Sequence, residues 1–154
     1  MNKLKVTAAV PTEIHMTRTF DAPRRLVMQA MSKPELLKRW LGNSFSPLVS
    51  ADVDHRVGGN YRYVYRNAKD GREFAFVGQY REIGEDRIVH SESMEGMPGE
   101  ATVMMTFVEA AGKTTLNIVM AFPSQQIRDL VLSTGMEVGA AESYDNLERL
   151  LASL

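Results

Sequence analysis

From residue 48 to residue 122 the sequence alternates apolar and polar side chains with a period of two, and from residue 124 onward it does not. That change of period is what most limits the fold. Period-two runs separated by turn residues form antiparallel strands, each with one face to bury. Such a sheet needs cover, and the one long stretch left to supply it is 124–154. Ser124 stands there as a cap. Ile127, Leu130, Val131, Thr134, Val138, Ala141, Leu147, Leu150 and Leu151 then recur at roughly helical spacing. Ser133-Thr134-Gly135 lies inside the segment. Glycine is a poor helix-interior residue, so a bend or break is expected at Gly135.

Strands are expected over 48–54, 60–66, 73–83, 87–95, 101–109 and 113–122. A shift of one residue flips every side chain, so the register decides which face is inside. A first hairpin centred on Val57 sets Asp52 against Arg62 and joins Val49, Ala51 and Val53 to Tyr61, Tyr63 and Tyr65. In the second, Tyr63 and Tyr65 meet Phe76 and Phe74. In the last, Phe107 meets Leu116, Met105 meets Ile118 and Val103 meets Met120. Across the turn at Gly84-Glu85 the register turns His90 and Glu92 outward.

Ahead of these strands, 1–12 reads as a loose arm, and 13–154 as one domain. Ile14, Met16, Arg18 and Phe20 mark one face of a strand over 13–20. Asp21-Ala22-Pro23 then reads as a helix start with a capping acid. Leu26, Val27 and Ala30 form its buried stripe. Ser32-Lys33-Pro34-Glu35 reads as a capping box for a second short helix, which turns Leu36, Leu37, Trp40 and Leu41 inward.

Charge and composition exclude several classes of function. With 18 basic against 19 acidic residues and no basic stripe, nucleic acid is a poor partner. There is no cysteine, which removes disulfides, thiolate nucleophiles and cysteine-bound metals together. No apolar run approaches the ~18 residues of a membrane span. The apolar run in 1–10 is too short for a signal-peptide core, so the expected location is cytoplasmic. Ten methionines suit irregular packing, as core filler or as a plastic pocket wall.

No catalytic or metal constellation stands out. Asp52, Asp54 and His55 lack the spacing of a standard metal site, and cross-strand ion pairing explains the acids. His15, His55 and His90 are scattered. His90 and Glu92 share a strand face, yet the register points them to solvent. Residues 42–46 lack the second glycine of a nucleophile elbow. Gly58-Gly59 lacks the lysine and following helix of a phosphate loop, and a tight hairpin accounts for it.

The order strand, two short helices, six strands and long helix is the helix-grip arrangement. Phe20-Asp21-Ala22-Pro23-Arg24, then Ala30-Met31-Ser32-Lys33-Pro34-Glu35 and Trp40, resemble the opening of the family named after the activator of heat-shock protein 90 ATPase. Val57-Gly58-Gly59-Asn60-Tyr61 resembles its double-glycine hairpin. Gly78-Gln79-Tyr80-Arg81-Glu82-Ile83 and Arg87-Ile88-Val89 resemble its next strands. Gly135-Met136-Glu137-Val138-Gly139, with Leu147 and Leu150, resembles its final helix. The likeness spans about 14–153. It implies membership of the superfamily of START domains, birch-pollen-allergen-like proteins and polyketide cyclases. It also implies a cavity between sheet and C-terminal helix. Many members carry tryptophan after the second helix glycine, where this chain has Ala140, so a wider or differently shaped cavity is expected.

The expected fold is therefore α+β: an antiparallel sheet of six or seven strands around a long C-terminal helix, with two short helices after the first strand. The expected function is non-catalytic binding of an apolar or aromatic small molecule, lipid-like or polyketide-like, by a monomer or homodimer with no cofactor. The expected lining is Trp40, Tyr61, Tyr63, Tyr65, Phe74, Phe76, Met105, Phe107, Ile118, Met120, Ile127, Val131, Met136 and Ala140. Two alternatives remain: a cyclase- or hydrolase-type enzyme using polar groups of the cavity, and a stress-related protein-interaction module acting through the outer face of the sheet.

Overall fold

Alternation in the sequence becomes one antiparallel sheet of eight strands, one or two more than expected. The computed structural model describes residues 2–154. In chain order the elements are β1 Lys5–Thr7, β2 Glu13–Phe20, α1 Arg24–Ser32, α2 Pro34–Trp40, β3 Leu48–Val53 and β4 Asn60–Arg66. There follow β5 Glu73–Ile83, β6 Arg87–Met94, β7 Ala101–Ala110, β8 Lys113–Ala121, α3 Gln125–Ser133 and α4 Met136–Ala152. Strands lie in the order β1-β2-β8-β7-β6-β5-β4-β3. The extra strand is β1, inside the segment expected as a loose arm, and it pairs with β2 through Val6 and Met16.

Three hairpins form in the expected register. Asp52 faces Arg62, Tyr63 faces Phe76, Tyr65 faces Phe74, and Phe107, Met105 and Val103 face Leu116, Ile118 and Met120. Val49 is an exception. A bulge between Leu48 and Ser50 sets Leu48 against Tyr65 and leaves Val49 exposed. A second bulge, between Tyr80 and Glu82, changes the reading of β6. Ile83 faces Ile88, but Tyr80 faces His90. Without the extra residue Tyr80 would meet Ser91. With it, His90 and Glu92 face the interior, against the outward orientation expected from the turn.

Both expected side-chain caps are absent at the short helices. Pro23 and Lys33 hold the N-cap positions of α1 and α2, and neither helix start has a side-chain cap. Asp21 instead lies 3.4 Å from Lys113. Proline at the start of α2 supplies the required backbone angle, and Leu36 N–H and Leu37 N–H bond to the Lys33 carbonyl. Ser124 caps α3 as expected, accepting from Ile127 N–H at 3.2 Å.

The long C-terminal helix is two helices. Gly135 adopts φ 73°, a left-handed conformation that disfavours side chains, and α4 begins immediately after it. Leu130 and Val138, both expected on the buried face, are 62% and 57% exposed.

Two buried arginines fix the helix pair. Arg18, on the inner face of β2, donates to Asp145 Oδ1 of α4 at 2.7 Å and lies 3.9 Å from Glu148 Oε1. Its guanidinium sits 5.3 Å from the centre of the Phe20 ring. Arg128 of α3 donates to the carbonyls of Ala8, Val10 and Glu13 at 2.9–3.1 Å, which ties the helix to the N-terminal segment. On the α2 side, Ser143 Oγ donates to the Gly42 carbonyl at 2.8 Å. The tightest packing surrounds the first latch, where Phe20, Val27, Leu116 and Leu147 are wholly buried. No helix among the described residues is long and apolar enough to cross a membrane.

A buried charge is best tested by removing one partner at a time. Asp145→Ala removes the carboxylate hydrogen-bonded to Arg18, leaving Glu148 at 3.9 Å, and should lower stability by about 2–3 kcal/mol in urea denaturation. Arg18→Met replaces the charge with an apolar stem and should cost clearly less. Equal losses would contradict this account of the latch.

Candidate functional site

Inside the sheet, side chains line up in rows set by the strand registers. One row runs Leu48, Tyr65, Phe74, and the next Ala51, Tyr63, Phe76, Met94. Continuing the pairing of Val77 with Ser93 places Gly78 opposite Glu92, so a third row runs Val53, Tyr61, Gly78, Glu92, Ala101. A fourth joins Tyr80, His90, Val103 and Met120. These rows carry two kinds of residue at two ends of the interior.

Near the latch the interior is filled. Phe107 is wholly buried, and Met105, Ile118 and Met120 are nearly so. Trp40 is also buried, donates Nε1–H to the Ala30 carbonyl at 2.9 Å, and stacks on Tyr144 at 5.8 Å. At the β3–β5 end the inward rings remain partly accessible. Tyr65 stacks on Phe74 at 5.5 Å, and Phe76 stands edge-on to both at 5.9 and 6.1 Å. All three are only half-buried, although they face the same way as the core. Ile127, Val131, Met136 and Ala140 of the helix pair are half-buried as well.

Tyr61 is held differently from its neighbours. Its hydroxyl donates to the Ser91 carbonyl at 2.7 Å and lies 3.1 Å from His90 Nδ1. Its ring crosses β5 directly over Gly78, where an added Cβ would stand 2.4 Å from a ring carbon. Only glycine permits that approach. Tyr61 is thus a fixed, buried post between the filled and the accessible ends.

Glu92 has the least ordinary environment. It faces inward beside Gly78 and Ala101, two residues too small to cover it. Desolvation is the sole cause acting on its carboxyl, which is pushed up to about 7, with no hydrogen bond or cation to offset the burial. Yet the residue retains accessible surface. The carboxyl is thus desolvated without being fully covered. The negative charge of Glu92 also acts on Tyr61, Tyr65 and Tyr144, raising their hydroxyl pKa values beyond the larger effect of burial. Tyr144, on α4, therefore belongs to this site across from the sheet. His90 shifts the other way: burial lowers it, partly offset by its bond to the Ser91 carbonyl.

Of the fourteen residues expected to line a cavity, Tyr65, Phe74, Phe76, Ile127, Val131, Met136 and Ala140 retain accessible surface, and Tyr63 does so beside Phe76. Trp40, Tyr61, Met105, Phe107, Ile118 and Met120 lie in the filled core. Glu92, weighed with His90 as an acid–base pair, was expected to point to solvent, and the bulge turns it inward. Tyr144 was missed, although position 144 falls three residues before the buried Leu147, a spacing that places both on one side of α4.

The outer face of the sheet is a different surface. A hollow of ≈ 810 Å³ opens there, lined by Asp52, Arg62, Gln79, Arg81 and Glu100 among others. Its charges pair with one another: Arg62 holds Glu95 through two bonds of 3.0 and 2.9 Å, and Arg81 holds Glu100 at 2.8 Å. Arg62 takes Glu95 rather than the expected Asp52. Self-paired and open to water, this face offers little for an apolar ligand to displace. Among the described residues, no three His, Cys, Asp or Glu side chains gather as a metal site requires.

An antiparallel sheet closing over a C-terminal helix pair, with two short helices between the first strands, defines the α+β helix-grip class. The chain belongs to the family described as "Activator of Hsp90 ATPase homolog 1-like protein", whose sequence profile matches residues 21–152. Solved structures agree on the fold. A protein from Rhodobacter sphaeroides is 25% identical, with a TM-score of 0.90 over 99% of this chain and 100% of its own. One from Nitrosomonas europaea is 21% identical, with a TM-score of 0.84 over 95% and 97%. One from Chromobacterium violaceum is 26% identical, with a TM-score of 0.78 over 92% and 98%. Among curated proteins, none matches the sequence.

The raised Glu92 makes stability depend on pH. Between its ordinary value of 4.5 and about 7, the folded state keeps a proton that the unfolded state has lost. Stability therefore falls as pH rises through that window, and Glu92 adds no further change above it. Glu92→Gln removes the dependence. Its urea midpoint should match the wild type near pH 4.5 and exceed it at pH 8, the difference in stability reaching about 3.5 kcal/mol at most given ~1.4 kcal/mol per pH unit. Parallel curves for the two proteins would show that the carboxyl is not desolvated.

Proposed function

We propose that the protein binds an apolar or aromatic small molecule between β4–β6 and the α3–α4 pair, without catalysing a reaction on it. One observation carries this reading. Tyr65, Phe74 and Phe76 face the interior and stack on one another, yet no other part of the fold buries them completely. A folded chain that turns three aromatic rings inward and leaves them accessible has a surface suited to another apolar group. Flat ligands gain further from ring–ring contact, about 0.5–1.5 kcal/mol per pair beyond burial.

Each part of the site has a role in this reading. Tyr65, Phe74 and Phe76 form the wall, with Tyr63 beside them. Ile127, Val131, Met136 and Ala140 form the cover. Tyr61 and the filled core of Trp40, Met105, Phe107, Ile118 and Met120 close the far end. Family membership supports the ligand-binding character of the domain, and the chemistry of the wall selects the apolar and aromatic class within it.

A second reading is acid–base catalysis of the cyclase or hydrolase kind. One observation favours it. His90 and Glu92 both face inward, and burial favours the neutral form of each, with glutamic acid pushed up to about 7 and histidine lowered from its usual 6.5. Turnover of a bound compound that Glu92→Gln abolishes would carry this reading over simple binding.

Trp40 supplies a built-in reporter, because it stacks on Tyr144 and Tyr144 borders the site. A panel of aromatic and lipid-like compounds should include members that change Trp40 emission and raise the melting temperature. Ala140→Trp, which fills the cover side, should weaken those compounds at least tenfold while the melting temperature without ligand stays within a few degrees. A panel without a single binder, or binders indifferent to Ala140→Trp, would contradict the proposal.

A further inference from the structure

Any ligand resting on Tyr65, Phe74 and Phe76 meets Glu92 at the end of the same wall, and the structure says what that end asks for. The carboxyl has no hydrogen-bond partner and no cation beside it among the described residues. Its surroundings are electron-rich throughout. Tyr61 and Tyr65 face it from β4 and Tyr144 from α4. Tyr80 and His90 lie in the next row, with His55 against Tyr80 at 4.9 Å. At this end β3 and β7 contribute Ala51, Val53, Ala101 and Val103, none of them charged.

No basic side chain reaches this end. Arg18 is committed to Asp145 and Glu148 several rows away, at the level of Leu116. Arg128 is committed to three backbone carbonyls and Asp129. Lys38 and Arg39 are exposed on α2. An anionic ligand would therefore meet repulsion without compensation. The faces of aromatic rings attract cations, and a carboxylate in a dry site attracts them more strongly.

We propose that the natural ligand is an amphipathic amine, its ammonium group held at Glu92 and its apolar body laid on Tyr65, Phe74 and Phe76. The proposal rests on the binding reading above and narrows its ligand class. Pairing with an ammonium restores the ionised carboxylate that burial disfavours, so binding and Glu92 ionisation are linked. Tyr61, Tyr63, Tyr65, Tyr80 and Tyr144 have pKa values above the ordinary tyrosine value, and His90 and His55 have theirs below the ordinary histidine value. Burial favours the uncharged form of each of these groups, while Glu92, pushed up to about 7, changes charge between pH 6 and pH 8.

Benzyltrimethylammonium and its uncharged carbon isostere, neopentylbenzene, provide the test, with affinities followed by Trp40 emission or calorimetry on the whole chain. The ammonium compound carries a fixed charge, so its pH dependence reports the protein alone. Its affinity should rise about tenfold from pH 6 to pH 8, following the ionised fraction of a group titrating near 7. At pH 8 it should exceed that of the isostere at least tenfold. Glu92→Gln should remove both effects while leaving binding of the isostere intact, which also shows that the variant is folded.

Opposite or flat behaviour overturns the proposal. An affinity that falls with rising pH would mean that protonated Glu92 donates to an acceptor on the ligand. Equal binding of the two compounds would remove the amine and leave the apolar reading standing. Failure of both compounds to bind, together with the broad panel, would overturn both.

Discussion

One extra residue in β5 decides what the interior of this protein contains. Side chains alternate strictly along a strand, so parity passes unchanged from one paired strand to the next unless a bulge intervenes. At Tyr80–Glu82 one does. Beyond it, Ile83 still pairs with Ile88 and keeps an apolar row in the core, while His90 and Glu92 come to face inward. Gly78 contributes from the same strand by letting the Tyr61 ring lie across it and anchor to the Ser91 carbonyl. Without the bulge the sheet would present Ser91 and Ser93 to the interior, and the carboxyl would stand in water.

The helices make use of what the sheet presents. α4 is latched at its C-terminal half, where Asp145 and Glu148 meet Arg18 and where Leu147, Leu150 and Leu151 complete the core. α3 is latched separately, through Arg128 to the N-terminal segment. Between them Gly135 breaks the helix. Holding the two helices at separate points fixes the filled end firmly and leaves the aromatic end less completely covered.

Much of this was legible in the sequence because the signals were local. Hairpin registers followed from charge and aromatic pairing, and Gly135 announced the helix break. The misreadings have separate physical causes. Bulges at Leu48–Ser50 and Tyr80–Glu82 carry no distinctive residue type, so parity arguments passed through them and misplaced Val49, His90 and Glu92. Asp21 and Ser32 have capping chemistry, but Pro23, Lys33 and the rigidity of Pro34 occupy the positions that would use it. Arg18 looks like a polar residue on an apolar strand face, and only the distant Asp145 and Glu148 explain its burial. Tyr144 is an ordinary helical residue until its stacking on Trp40 and its approach to Glu92 are seen.

The central claim is that Glu92 stands inside the protein in a dry, unpaired setting that an aromatic wall and a broken helix leave accessible. The most direct measurement is the titration of its carboxyl carbon by NMR in protein labelled at glutamate, with Glu92→Gln to assign the signal. The account predicts a midpoint near 7. A midpoint near the ordinary glutamate value of 4.5 would place the side chain in water and contradict the arrangement described.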